Sequence, residues 1–210
     1  MAQLSHKYFP SWLYYMIDFS KDELAPLIEE VEPIKANPQN FPSYNYGLKG
    51  NVSAGYELHQ SIPFLNDLLL PYVYDYATEF DFFSQYTVLK KDAPLFLWQP
   101  WVNFQKRYEY NPIHNHSGLF SFVIWLEVPY DIDSAIQANP EQKESLELEG
   151  AFNFHFGNAM GQIDTQTIKI DKSMMYKGII FPAKLYHSIY PFYCSDGIRI
   201  SVAGNFYFDN

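Results

Sequence analysis

Two histidines, His114 and His116, stand two residues apart in the stretch NPIHNHSGLF. On an extended strand, residues i and i+2 point to the same face, so both imidazoles can converge on one metal ion. A third histidine, His187, sits in the apolar stretch GIIFPAKLYHSIYPF, where an unpartnered imidazole is costly to bury. Twelve residues after His187 comes Arg199, in the stretch GIRISVAGNF. Read as a strand, that stretch puts Arg199, Ser201, Ala203 and Asn205 on one face. Ile198, Ile200, Val202, Gly204 and Phe206 take the other, which reads as packing. The first face carries a guanidinium and a hydroxyl into a β core. A buried Arg needs an anion, and its strand face holds no Asp or Glu. A bound carboxylate supplies one. The chemistry in view is a metal ion held by imidazoles and a carboxylate held by a guanidinium.

Strands must position these groups, and the second half of the chain is built for them. Runs of Phe, Val, Ile, Trp and Tyr broken by Gly, Pro and Asn predict strands at 95–108, 118–128, 151–156, 166–171, 177–181, 185–191 and 197–208. The stretch 131–150 interrupts them. It is acidic and contains Pro and Gln, so it reads as a solvated insertion or as a lid over a site.

Residues 1–94 read as a helical and irregular support region. Ser20 followed by Glu23 is a capping-box signature. Leu24, Leu27, Ile28 and Val31 then share one helical face. A second helix is predicted where Leu65, Leu68, Leu69, Tyr72, Val73 and Tyr76 repeat at three and four, with Pro71 kinking it or marking its start. The turn-rich stretch 37–50 is a loop. Helices packed on a sandwich or barrel would bury such strands, so the chain reads as one domain with its β core at 95–210.

Composition bounds the function. The formal charge of −10 argues against a nucleic-acid partner, which needs a basic surface, and against an anionic membrane. It leaves an anionic small molecule open, since one buried Arg holds one. Eighteen Tyr and eighteen Phe favour strands. A single Cys, Cys194, allows no internal disulfide, which points to a reducing, cytoplasmic setting. The apolar stretch YFPSWLYYMIDF (8–19) is too short to span a bilayer and lacks the marks of a signal peptide. It reads as an aromatic segment packed on the domain.

The ordered set His-x-His, distal His and Arg-x-Ser resembles the Fe(II)/2-oxoglutarate-dependent dioxygenases. More narrowly, WVNFQKRYEYNPIHNHSGLFSFVIWL followed by GIIFPAKLYHSIYPF and GIRISVAGN resembles the 2-oxoglutarate/Fe(II) oxygenases of marine bacteria and T4-like cyanophages. YGLKGNVSAGYEL (46–58) is similar to a glycine-containing stretch of that group. The resemblance covers Trp101 to Asn205. It implies a double-stranded β-helix, the cupin-like jelly roll, mainly β with N-terminal helices. It implies Fe(II) and 2-oxoglutarate as cofactors, O2 as cosubstrate, and a host compartment in a phage-infected bacterium. His114 and His187 become metal ligands; Arg199 pairs with the distal carboxylate of 2-oxoglutarate, with Ser201 beside it. Asn103, Gln105, Tyr108 and Tyr110 precede the metal motif, and Asn103 and Tyr108 are assigned to the cosubstrate. The resemblance implies a hydroxylase, with prolyl or other peptide groups as an analogy for its substrate.

One position departs from the wider pattern: where the superfamily has Asp or Glu, this chain has His116. Three arrangements are open. His114, His116 and His187 form an all-histidine triad; or two histidines bind and a carboxylate such as Glu127 or Asp131 joins them; or His116-Ser117-Gly118 leaves a vacant position, as in related halogenases. A rival reading keeps the fold and drops the catalysis, leaving a metal- or carboxylate-binding protein. His155 reads as a strand polar residue, and His6 and His59 as surface residues. Trp98, Trp101 and Trp125 read as core.

Overall fold

The computed structural model describes residues 3–8, 13–45, 50–85, 94–158 and 160–208, with the side chains of 3–8, 13 and 85 outside the description. The capping box forms as the sequence predicts. The Ser20 N–H donates to Glu23 Oε2 at 2.8 Å and the Glu23 N–H donates to Ser20 Oγ at 3.1 Å, which satisfies donors ahead of the first helix. Helix α1 (Ala25–Ala36) buries Leu27, Val31 and Ile34. Helix α2 (Ile62–Glu79) buries Leu65, Leu69, Val73, Tyr76 and Ala77, the stripe that repeats at three and four. Pro71 lies inside α2 and does not start it; Pro63 occupies the first turn, where its missing N–H costs nothing.

The strands are β1 (Gln3–Tyr8), β2 (Leu13–Asp18), β3 (Gly55–Glu57), β4 (Leu95–Gln105), β5 (Asn111–His114), β6 (Phe120–Glu127), β7 (Phe152–Gly157), β8 (Ile163–Ile168), β9 (Lys177–Pro182), β10 (Tyr186–Ile189) and β11 (Arg199–Phe208). They form a seven-stranded sheet in the order β1-β2-β9-β6-β11-β4-β3 and a four-stranded sheet in the order β5-β10-β7-β8. Every pairing between them is antiparallel. This is the jelly roll expected, with helices added on one side.

Two apolar clusters separate three layers. In the first, Leu27, Val31, Leu65, Leu69 and Tyr76 of the helices meet Val102, Ile124, Ile200, Val202 and Phe206 of the large sheet. In the second, Trp101, Val123, Trp125 and Ala203 of the large sheet meet Phe152 and Phe154 of the small one. The large sheet is therefore buried on both faces. That is why β6, FSFVIWLE, reads as a continuous apolar run rather than an alternation.

The N-terminal region departs from its expected helical character. Residues 13–18 are a strand paired with β9, and β1 extends the same edge. Tyr14 and Tyr15 are both buried, in different clusters, so the segment carries no period-two signal to reveal it. His6 falls on β1; its side chain lies outside the described residues, as do positions 46–49 of the glycine-containing stretch. No described helix is long and apolar enough to cross a membrane.

Candidate metal centre

Strands β5 and β10 pair antiparallel with His114 directly opposite His187, so their imidazoles leave the same face of the small sheet. His116 lies just beyond β5, and its N–H donates to the Ala183 carbonyl at 2.9 Å, which fixes the turn that returns it to the other two. Ring centroids are 4.3 Å apart for His114 and His187, and 5.0 Å apart for His116 and either neighbour. One ligand nitrogen from each of the three lies within 4.8 Å of the others. His114 Nδ1 lies 2.7 Å from the Pro112 carbonyl, and His187 Nδ1 3.0 Å from the Leu185 carbonyl. A carbonyl only accepts, so each Nδ1 carries the hydrogen and donates it. The tautomer so fixed is the one that presents Nε2 to a metal.

The surroundings keep the His116 and His187 rings neutral. Burial pushes the His187 pKa well below its ordinary value, and the His114 and His116 imidazoles push it further. Burial, then His114, pulls His116 down to about 4. Phe152 stacks on His187 at 5.3 Å and Phe181 packs edge-on at 5.1 Å, so water is excluded from behind that ligand. Neutral imidazole is the form that binds metal.

The three histidines open on a cavity of about 50 Å³, walled also by Tyr44, Trp101, Asn103, Asn111, Ser201 and Ala203. Trp101 Nε1, Asn103 Oδ1 and Asn111 Oδ1 are buried in its walls without a hydrogen-bond partner. Buried polar atoms ordinarily have partners; a polar ligand in this cavity would provide them.

Below Asn103 and Ser201, which face each other across β4 and β11, the next pair on that face is Gln105 and Arg199. Arg199 is 2% exposed. Its guanidinium donates to Tyr130 Oη at 2.8 Å, to the Gly150 carbonyl and to Gln105 Oε1. All three acceptors are neutral, and among the described residues no carboxylate pairs with this cation. The buried charge is solvated but not compensated, the condition that invites an anion. Gly150, at φ +64°, is required here: a Cβ would sit 2.1 Å from Tyr130 Oη. The insertion 131–150 contains helices α3 (Ile132–Ala138) and α4 (Lys143–Leu146). It ends beneath Arg199 and contributes nothing to the cavity wall, so it does not cover the histidines.

The structure thus brings His114, His116, His187, Asn103 and Ser201 to one cavity; Arg199 lies one cross-strand pair beyond Ser201 and is not itself a wall residue. Tyr108 lies apart from this group. It takes a left-handed φ of 69° in the turn after β4, is 57% exposed, lies against Tyr193 and Arg107, and is not in the cavity wall. Tyr110 is exposed as well. His155 faces away, its ring nitrogens 2.8 Å from Ser188 Oγ and 3.1 Å from Thr165 Oγ1, and His59 is a surface residue beside Glu57. Among the described residues no carboxylate joins the three histidines. Glu127 pairs with Lys35 and Asp131 caps α3. Sequence reasoning missed Tyr44, Asn111, Tyr130 and Gly150. Asn111 alone had a signal, its place in the histidine motif.

A sequence model described as "Putative 2OG-Fe(II) oxygenase" matches residues 99–205, a span that holds all three histidines, Arg199 and Ser201. The chain belongs to the 2OG-Fe(II) oxygenase family. No curated protein matches this oxygenase. Its fold is that of solved relatives at low identity. One is a Pseudomonas putida prolyl-4-hydroxylase, 10% identical, covering 94% of this chain and 93% of that one at a TM-score of 0.54. Another is HygX of Streptomyces hygroscopicus with nickel, 2-oxoglutarate and hygromycin B bound, 12% identical, covering 92% and 82% at 0.55. A third is a 2OG-Fe(II) oxygenase family protein of Burkholderia pseudomallei, 15% identical, covering 94% and 85% at 0.52. The oxygenase's cofactors are Fe(II) and 2-oxoglutarate. Three converging imidazoles and a buried guanidinium with no described carboxylate partner fit them.

Proposed function

We propose that the oxygenase is a hydroxylase whose iron is held by His114, His116 and His187, with Arg199 anchoring the distal carboxylate of 2-oxoglutarate. The observation that carries this reading is the convergence of three imidazoles, with no described carboxylate among them, on one cavity, with Arg199 one cross-strand pair beyond its wall residues Asn103 and Ser201. Of the three arrangements open at His116, the all-histidine triad is the one this convergence supports. It leaves the iron one unit more positive than two histidines and a carboxylate would, which suits a dianionic cosubstrate.

When bound, iron with 2-oxoglutarate and O2 supplies oxidative decarboxylation to succinate and CO2, coupled to conversion of a substrate C–H to C–OH. The chain's residues do the rest. The Pro112 and Leu185 carbonyls hold the His114 and His187 tautomers. Arg199 matches a carboxylate in two bonds, exchanging the neutral acceptors it now holds, and Ser201 adds a hydroxyl. Asn103 is the wall group beside them. Phe152 and Phe181 keep the site dry.

The substrate we assign is a peptidyl group, supported by the fold shared with a prolyl-4-hydroxylase. The motif order supports the marine-bacterial and cyanophage type, and the single cysteine supports a cytoplasmic setting.

The test is an anaerobic titration of the Fe(II)-loaded protein with 2-oxoglutarate. A weak visible charge-transfer band is expected, and succinate on admission of air. Failure of both would sink the reading in favour of a non-catalytic carboxylate-binding jelly roll.

A further inference from the structure

The face of β11 that carries Arg199, Ser201 and Ala203 continues past the metal cavity to Asn205 and Tyr207. There a second depression, of about 490 Å³, adjoins the first, and the two share Tyr44 and His116. Its other walls are Trp98, Gln99, Asn115 and Ser117. It therefore opens onto the metal cavity at the side of the third histidine, away from Arg199.

A break in register builds it. Ala203 pairs with Trp101 but Asn205 pairs with Trp98, so β4 carries one extra residue between those two pairs. Gln99 absorbs it, at a left-handed φ of 43°. A bulge of this kind shifts the period-two alternation by one. Without it, Gln99 would follow Trp101 and Asn103 on the cavity face; with it, Trp98 does. The result is an indole 54% exposed on a strand whose other tryptophan is buried.

Among the described residues, the depression's walls hold no ionisable acid or base apart from tyrosine hydroxyls and the His116 ring. Gln99, Asn115 and Asn205 present carboxamides, which carry the same donor and acceptor as a peptide group. Asn205 Oδ1 is already taken by Ser121 Oγ at 2.7 Å, leaving its Nδ2 to donate. Ser117 Oγ and Tyr207 Oη bond each other at 2.7 Å. A charged substrate group here would lose water and find no countercharge. An apolar ring or chain would find the Trp98 face, and an amide backbone would find the carboxamides.

We infer that this depression is the primary-substrate subsite and that it takes an uncharged segment of peptide, with Trp98 setting specificity by stacking on the side chain presented to the metal. The inference rests on the oxygenase reading for what happens after binding, but not for binding itself.

The experiment separates the two. Metal-free full-length protein is exposed to a library of capped hexapeptides, and bound peptides are sequenced. Maltohexaose is run as a neutral saccharide control, and succinate formation by the iron-loaded wild type is measured in parallel. Expected is selection against Asp, Glu, Lys and Arg at a central position, with Pro or aliphatic residues enriched there. Trp98→Ala, checked for an unchanged melting temperature, should weaken binding of the best peptide about tenfold, the scale of one lost ring contact. Asn115→Asp should admit Lys at the selected position. Selection for charged residues, preference for maltohexaose, no peptide binding, or selection indifferent to both substitutions would each overturn the inference. Missing succinate alongside neutral-peptide selection would overturn the oxygenase reading only.

Discussion

On β11, Ile200, Val202 and Phe206 share an apolar cluster with α1 and α2, while Arg199, Ser201, Ala203 and Asn205 face the small sheet from the reverse side of the same strand. Both faces are buried: Val202 and Phe206 are 0% exposed, and Arg199, Ser201 and Asn205 are 2%, 9% and 7% exposed. Burial therefore does not distinguish structure from function in this molecule. Polarity under burial does. The helix-side face is satisfied by packing alone. The opposite face holds a charge balanced by no described acid and, with its neighbours on β4, polar atoms with no partner.

The comparison can be broken from either side. Phe206→Ala on the helix side should lower the unfolding free energy by about 3–5 kcal/mol, read from urea titrations. The folded fraction should still bind one metal; loss of metal from folded protein would show that the two faces are not separable. On the cavity side, His116→Ala should weaken metal binding by more than the roughly 10–100-fold that removing an outer partner costs. His116→Asp should retain the metal, since it restores two histidines and a carboxylate. Competition with a chromogenic chelator measures both, and equal affinity of wild type and His116→Ala would make His116 a bystander.

Smaller effects sharpen the picture. Metal-loaded wild type should gain about 2.7 kcal/mol from 2-oxoglutarate at a hundred times its dissociation constant. Arg199→Met should lose that gain while keeping its metal, as thermal shifts with and without the cosubstrate would show. Gly150→Ala forces a side chain into a left-handed residue against Tyr130, at a cost of about 1–3 kcal/mol. Its loss should appear both as a lower melting temperature and as a raised KM for 2-oxoglutarate. Ser20→Ala removes one partner of the capping box and should cost only about 1 kcal/mol, with no change at the cavity.

Much of this could be read from residue order because it is local. The two faces of β11 and the stripes of α1 and α2 follow from periods of 2 and 3.6; His116 instead reaches its partners through a turn held by the Ala183 carbonyl. The N-terminal strands were not legible, since Tyr14 and Tyr15 are buried on opposite sides and erase the alternation. Tyr108 lies apart from the cavity for a local reason. β4 stops at Gln105, and the left-handed turn at Tyr108 turns the chain away from the face that Asn103 and Gln105 occupy. Tyr130 and Gly150 reach Arg199 from the ends of an insertion whose composition names no contact.

From order alone, then, the chain determined which side chains share a face, that a buried Arg lacks an acid beside it on its strand face, and that His187 stands in an apolar strand. Only the tertiary structure decided which histidine faces which. The pairing of β5 with β10 joins residues more than seventy positions apart, and such pairing depends on the register of whole strands. The same holds for the bulge at Gln99, which appears only against β11 and moves Trp98 onto the cavity face. The empty place where a carboxylate was expected is likewise a fact of packing: Glu127 and Asp131 are held elsewhere by Lys35 and by the α3 N-terminus.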